Sequence, residues 1–157
     1  MGSGTRAGFV LERELVVARG LGEVFAFFSD PHNLDRITPP WLGFRIVGVS
    51  TTEIREGTLI DYRLKLRGIP IRWRSRITEW NPPHGFADEQ VHGPYRAWYH
   101  RHEFEDLGGR TRCRDVVHYS VLGGALVNRL LVRPDVDRIF DYRTEQLARL
   151  FGAPTAT

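Results

Sequence analysis

The feature that most limits what this chain can become is a long run of alternating strands followed by one amphipathic helix. Over residues 57–121 apolar and polar side chains alternate with the two-residue period of half-buried β-strands. Over residues 125–151 the period changes to that of a helix, with Val127, Leu130, Leu131, Ile139, Phe140, Leu147, Leu150 and Phe151 at helical spacing. A curved antiparallel sheet gripping a single helix leaves a concave space between the two. The pattern therefore predicts a cavity, and it does so without any catalytic motif.

Strand pairing follows from the same alternation. Residues 59–66 place Ile60, Tyr62, Leu64 and Leu66 on one face, and residues 69–80 place Ile69, Ile71, Trp73, Ser75 and Ile77 on one face. Arg67-Gly68 between them reads as a two-residue turn, which opposes Leu66 to Ile69, Leu64 to Ile71 and Tyr62 to Trp73. The apolar faces then coincide, so turn and periodicity agree. A short strand at 86–91 follows the turn Asn81-Pro82-Pro83-His84-Gly85, and strands at 96–105 and 111–121 complete the meander. Upstream, a strand at 9–19 and a short helix at 23–29 end at Asp30-Pro31, where proline disfavours helical backbone in the preceding residue. A second short helix at 31–37, with Asp30 as its N-cap, and a strand at 44–50 follow. Pro134 predicts a kink in a single C-terminal helix, which Gly152 ends.

Bulk properties bound the function. A chain of 157 residues suits one domain, placed at 9–151 with flexible termini at 1–8 and 152–157. No apolar run is long enough to span a bilayer, and the Gly-rich start lacks the regions of a signal peptide. The lone Cys113 can form no internal disulfide, which suits a reducing cytoplasm. A net charge of +3 is too mild to imply nucleic acid. All basic residues except Lys65 are arginine.

The sharpest constellation lies in the last hairpin. If Asp106 pairs with Thr111, then His102 opposes Asp115, His100 opposes Val117, Phe104 meets Cys113 and Trp98 meets Tyr119, all facing the helix. Imidazole beside carboxylate can serve as an acid–base pair near neutral pH, which makes His102 and Asp115 the catalytic candidates. The same pair can anchor a polar group on an apolar ligand, or simply satisfy itself within the sheet. Asp88 and Gln90 join this space if Phe86 faces inward. His100, His102 and Asp115 also offer metal-ligand atoms, but at no recognised spacing, and no metal or other cofactor is expected. Candidate ligand-binding residues are Tyr62, Ile71, Trp73, Trp98, His100, His102, Phe104, Asp115, Val117 and Tyr119. Aromatics at these positions can equally be core packing; tyrosine, tryptophan, histidine and aspartate sharing one inward face point to a cavity. On the other face, Arg63, Lys65 and Arg67 lie beside Arg72, Arg74 and Arg76, with Arg63 opposing Arg72 and Asp61 opposing Arg74. That face reads as solvated or as a surface for an acidic partner.

The order strand, two short helices, meander and long helix resembles the helix-grip fold of the SRPBCC superfamily. START lipid-transfer domains, birch-pollen-allergen-like proteins and polyketide cyclases share it. Asn33-Leu34-Asp35-Arg36-Ile37-Thr38-Pro39-Pro40-Trp41-Leu42, Gly68-Ile69-Pro70-Ile71-Arg72-Trp73, Asp88-Glu89-Gln90, Gly93-Pro94-Tyr95 and Arg138-Ile139-Phe140-Asp141-Tyr142-Arg143 look like one bacterial, ligand-binding or cyclase-like branch. Pro134 departs from that pattern. The resemblance implies an α+β domain, a seven-stranded antiparallel sheet wrapped around the last helix, and a hydrophobic cavity for a lipid-like or polycyclic small molecule. Three functions follow: a binding protein, an aromatase, cyclase or dehydratase using His102 and Asp115, and an interaction module using the arginine face.

Overall fold

The computed structural model describes residues 8–152; apart from Gly8 and Gly152, the termini expected to be flexible lie outside the described residues. The elements run β1 (Phe9–Val17), α1 (Leu21–Phe28), two 3-10 turns (Pro31–Ile37 and Pro40–Leu42), β2 (Arg45–Val49), β3 (Leu59–Leu66), β4 (Ile69–Asn81), β5 (Gly85–His92), β6 (Ala97–Asp106) and β7 (Thr111–Ser120). A helical arm follows, made of α2 (Gly124–Val127), a wide π turn (Asn128–Val132) and α3 (Arg133–Phe151).

The strands form one antiparallel sheet in the order β1-β7-β6-β5-β4-β3-β2. β1 and β2 are its opposite edges, so the connection carrying α1 and the 3-10 turns passes from one edge to the other. Asp30 caps the first 3-10 turn by accepting from the His32 N–H at 3.0 Å. Both hairpin registers match the alternation: Tyr62 faces Trp73, Leu64 faces Ile71, His102 faces Asp115 and Trp98 faces Tyr119.

The β3–β4 turn has Arg67 at φ 50° and Gly68 at φ 77°, the left-handed pair that a two-residue hairpin requires. Arginine carries a Cβ penalty there that glycine avoids. Its side chain forks onto Asp135, with Nε donating to Oδ2 at 3.0 Å and Nη2 to Oδ1 at 3.2 Å, and also donates to Leu131 O at 3.3 Å. The turn is thereby fastened to the helical arm.

The arm is continuous, since Val127, Asn128, Val132 and Arg133 all keep right-handed helical backbone. The expected interruption takes the form of the π turn, which widens the ladder just ahead of Pro134, a residue with no N–H to donate. Asn128 is buried within that turn and accepts from Tyr119 Oη at 2.7 Å.

Two apolar clusters fix the helix on one half of the sheet. One joins α1, the far end of α3, Phe104 and Cys113; the other joins Leu11, Val117, Tyr119, Val136 and Phe140. Both lie against β1, β7 and part of β6, and the first also takes in Trp80 of β4 and Phe86 of β5. The β3–β5 half curves away from the helix, and the space left there is the cavity.

Gly123 and Gly22 differ sharply in what a side chain would meet. A Cβ on Gly123, at φ 90°, would stand 2.3 Å from Val127 Cγ2, whereas one on Gly22 meets nothing within 4 Å. Gly123→Ala is expected to lower the unfolding free energy by ~1–3 kcal/mol, and Gly22→Ala to raise it by ~0.5–1 kcal/mol. Urea denaturation of the two variants measures both signs.

Candidate functional site

The cavity, about 190 Å³, is walled by β3, β4, β5, β6, the 3-10 segments and α3. Phe28, Leu42, Ile60, Leu64 and Ile139 are representative of its apolar wall. No side chain of β1 or β7 lines it, because the helix packs directly on those strands. This corrects part of the expected lining. Tyr62, Trp73, Trp98, His100 and His102 line the cavity, as do Asp88 and Arg143. Phe104 instead packs against Phe25 and Phe28, and Val117 and Tyr119 lie in the cluster beneath the helix. Ile71 packs beside Trp73 without reaching the cavity, and Asp115 lies behind the imidazoles that do. Gln90 turns away from the space, since its amide brackets the Tyr95 backbone and holds the β5–β6 turn.

The polar end of the cavity is a buried ionic cluster. Asp115 Oδ1 on β7 lies 2.8 Å from His100 Nε2, 3.3 Å from His102 Nδ1 and 3.3 Å from Arg143 Nη2. His102 Nε2 is 3.0 Å from Asp88 Oδ2 on β5. His102 thus has its shorter contact with Asp88, although Asp115 is its register partner. The expected His102–Asp115 pair is one edge of a larger set. Phe86, His102 and His100 form a stack, with centroids 4.0 Å apart for the first pair and 3.7 Å for the second. The Arg143 guanidinium sits over the Phe28 ring, 5.4 Å from its centroid.

Burial and pairing split the two imidazoles. Burial, reinforced by the neighbouring His102, pulls His100 down to about 4 against the support of Asp115. Burial also opposes the charged form of His102, but hydrogen bonds and charge from Asp115 and Asp88 outweigh it and raise the pKa. Burial would raise Asp115, yet Arg143 and the two imidazoles hold its carboxyl well below the ordinary range. Two acidic side chains thus face one guanidinium and two imidazoles, of which His102 holds its proton more firmly than His100. Burial and Asp115 push the Cys113 thiol up to about 12, so it is no nucleophile at neutral pH.

Asp88, His100 and His102 bring ligand atoms within 4.8 Å of one another. The two rings are stacked, however, so their in-plane lone pairs run side by side instead of converging on one ion. Both His102 nitrogens are already engaged. The residues do not fit a metal.

A smaller polar spot lies across the cavity. Trp73 Nε1 donates to Ser75 Oγ at 3.0 Å, and Tyr62 Oη lies 3.2 Å from the same oxygen. Burial, with the charge of Asp88, raises the Tyr62 phenol well above its usual value, so it remains a neutral hydrogen-bonding group.

Residues 17–147 match the family described as polyketide cyclase / dehydrase and lipid transport. The chain belongs to this family. It is the SRPBCC group that the sequence motifs resemble. No curated protein matches the chain by sequence. Among solved structures, family members and fold relatives superpose over most of their length. A protein from Chromobacterium violaceum has a TM-score of 0.71 at 14% identity, covering 92% of this chain and 98% of its own. An aromatase/cyclase from Streptomyces has a TM-score of 0.69 at 17% identity, covering 92% and 93%. Norcoclaurine synthase from Thalictrum flavum has a TM-score of 0.65 at 15% identity, covering 92% and 96%. At these identities the likeness establishes the helix-grip fold. No helix among the described residues is long and apolar enough to cross a membrane.

Arg143 is the site residue that the sequence reading did not single out. Arg143 had a signal: it stands three residues after Phe140 and four before Leu147, a charge on the apolar stripe of the helix. Asp88 was conditional on Phe86 facing inward, which it does.

Two pH effects on stability oppose one another. The lowered pKa of His100 means that the unfolded chain takes up a proton the folded chain refuses, so stability falls as pH drops from 6.5 towards about 4. The raised pKa of His102 gives stability that is present below 6.5 and is lost as pH rises through its folded value. Imidazole NMR titration is expected to show His102 protonated above pH 6.5 and His100 neutral until about 4. In Asp115→Asn, the pKa of His102 should fall relative to the parent, because the hydrogen bond and charge of Asp115 are lost while those of Asp88 remain.

Proposed function

We propose that this protein binds an apolar small molecule, lipid-like or polycyclic, in the cavity between β3–β6 and α3. The carrying observation is an apolar chamber closed at one end by a buried polar cluster: Asp88, His100, His102 and Arg143 line it together with Trp73, Trp98 and an aliphatic wall. A carbonyl or hydroxyl oxygen of a guest lies at the polar end, while Trp73, Trp98 and the aliphatic wall take its apolar body. The family's description includes lipid transport, and one structure of similar fold is an aromatase/cyclase, in keeping with guests of this kind.

A second reading rests on the two imidazoles. Neighbouring titratable groups pushed to opposite pKa values mark an acid and a base. In a dehydration, neutral His100 takes the proton α to a ketone. His102 gives its proton to the departing β-hydroxyl, a C=C bond forms and water leaves. On the arginine face Arg67, Arg74 and Arg76 are paired with Asp135, Asp61 and Glu89, while Arg63, Lys65 and Arg72 form no ion pair among the described residues.

Titration with polycyclic phenols and with fatty alcohols, followed by quenching of the cavity tryptophans, tests the binding reading. His102→Ala is expected to weaken binding about tenfold or more. Ile139→Trp, which fills the chamber, should abolish it while leaving the circular dichroism unchanged. Binding that survives Ile139→Trp places the guest elsewhere and ends the proposal. Mass spectrometry of a β-hydroxy ketone incubated with the protein separates the two readings: loss of water that disappears in Asp115→Asn indicates the enzyme, and unaltered guest indicates a carrier.

A further inference from the structure

We infer that the end of the molecule carrying the β7–α2 turn is a docking surface for an anionic phospholipid membrane. Leu122, Leu126, Leu130 and Leu131 are 73%, 66%, 60% and 47% exposed. Side chains of this size are normally scattered singly on a surface, and a contiguous group of them marks an interaction site. Here Leu126, Leu130 and Leu131 fall on one short stretch of helix, and Leu122 lies on the turn that leads into it. Leu126 and Leu130 are four residues apart on the outer side of the arm, and the π turn at Asn128–Val132 leaves Leu131 exposed beside Leu130. The inner side of the same stretch is already used, by buried Asn128 and by Val127 and Val132 packed on the core.

The charge around the leucines has one sign. From Val121 to Pro134 the sequence contains no acidic residue. Asp135 and Asp137, the next acids along the chain, are taken by Arg67 and by Arg13 and Arg133. Lys65, Arg96 and Arg129 are exposed and form no ion pair among the described residues. Topology gathers these groups. The β3–β4 turn is fastened to Leu131 by Arg67, and the Arg96 N–H donates to Ser120 O at the end of β7, two residues before Leu122. Ile69, 63% exposed, stands in the same β3–β4 hairpin. Leucines that reach into the headgroup boundary, ringed by unpaired cations, are the makings of an interfacial helix.

A second copy of the chain is the other candidate occupant, and charge argues against it. A symmetric contact would set Arg129 and its neighbours against their own copies, with no acid to offset them. Four leucines also fall well short of the ~800 Å² per partner that a stable interface covers. An anionic lipid surface meets both demands. The inference stands whether or not the cavity holds a guest, although Leu66, Tyr95 and Val136 place cavity wall at this same end.

Co-sedimentation of the full chain with phosphatidylcholine vesicles, with and without phosphatidylserine, tests it. Binding is expected to the phosphatidylserine vesicles, at least tenfold weaker without that lipid, and weaker again in high salt. Leu126→Asp with Leu130→Asp should remove it, and Arg129→Glu should lower it several-fold. Both variants change exposed side chains, so their melting temperatures should stay close to that of the parent. No binding to either vesicle, or binding unchanged by the aspartates, overturns the inference. So does a parent that sediments as a dimer and an aspartate variant that sediments as a monomer, since the patch would then belong to a second copy.

Discussion

One buried carboxylate holds the functional half of this molecule together. Asp115 projects from β7 and is met by His100 and His102 from β6 and by Arg143 from α3. Apolar contacts alone would let the helix slide along the sheet by a turn with modest loss, because dispersion and burial are not directional. A charged group with a fixed hydrogen-bonding partner does not allow that. Arg143 therefore sets the depth at which α3 rests, and with it the position of the cavity wall that α3 provides. The β6–β7 register serves the same end, since only the observed pairing puts both histidines on the face of Asp115.

Stability by itself does not account for such a cluster. Well-packed apolar residues in place of a buried ionic set are often neutral, or stabilising by ~1–4 kcal/mol, whereas removing one partner costs ~3–5 kcal/mol. The arrangement is thus easy to break and gives little in return as a fastening. What it provides is a preorganised polar spot inside an apolar chamber. Tyr62, Ser75 and Trp73 provide a second, weaker one. Two polar spots joined by apolar wall can orient a guest as well as hold it.

Much of this was legible in the alternation of the chain. The hairpin registers followed from Arg67-Gly68 and from the apolar faces, and the pairing of His102 with Asp115 followed from Asp106 and Thr111. Periodicity states which face of a strand is inward, but it does not distinguish inward against a helix from inward against a void. That is why Phe104, Val117 and Tyr119 were grouped with Tyr62 and Trp73. The distinction depends on where the helix lies, which is a matter of three dimensions. Arg143 was visible as a charge on an apolar stripe, but its partner is 28 residues away in the chain. The π turn ahead of Pro134 had no signal beyond the proline itself, because the chain can answer a missing N–H by kinking, restarting or widening.

The void has a cost of its own. Unfilled core volume destabilises by roughly 24 cal/mol per Å³, so a dry space of about 190 Å³ would forgo ~5 kcal/mol of packing relative to a solid core. That is a large part of the margin by which domains of this size stay folded. The apolar clusters make it tolerable, because they fasten both ends of α3 to β1 and β7, with Trp80 and Phe86 added at one end. Under the proposed binding, a guest that fills the chamber recovers packing, so occupancy and stability are coupled.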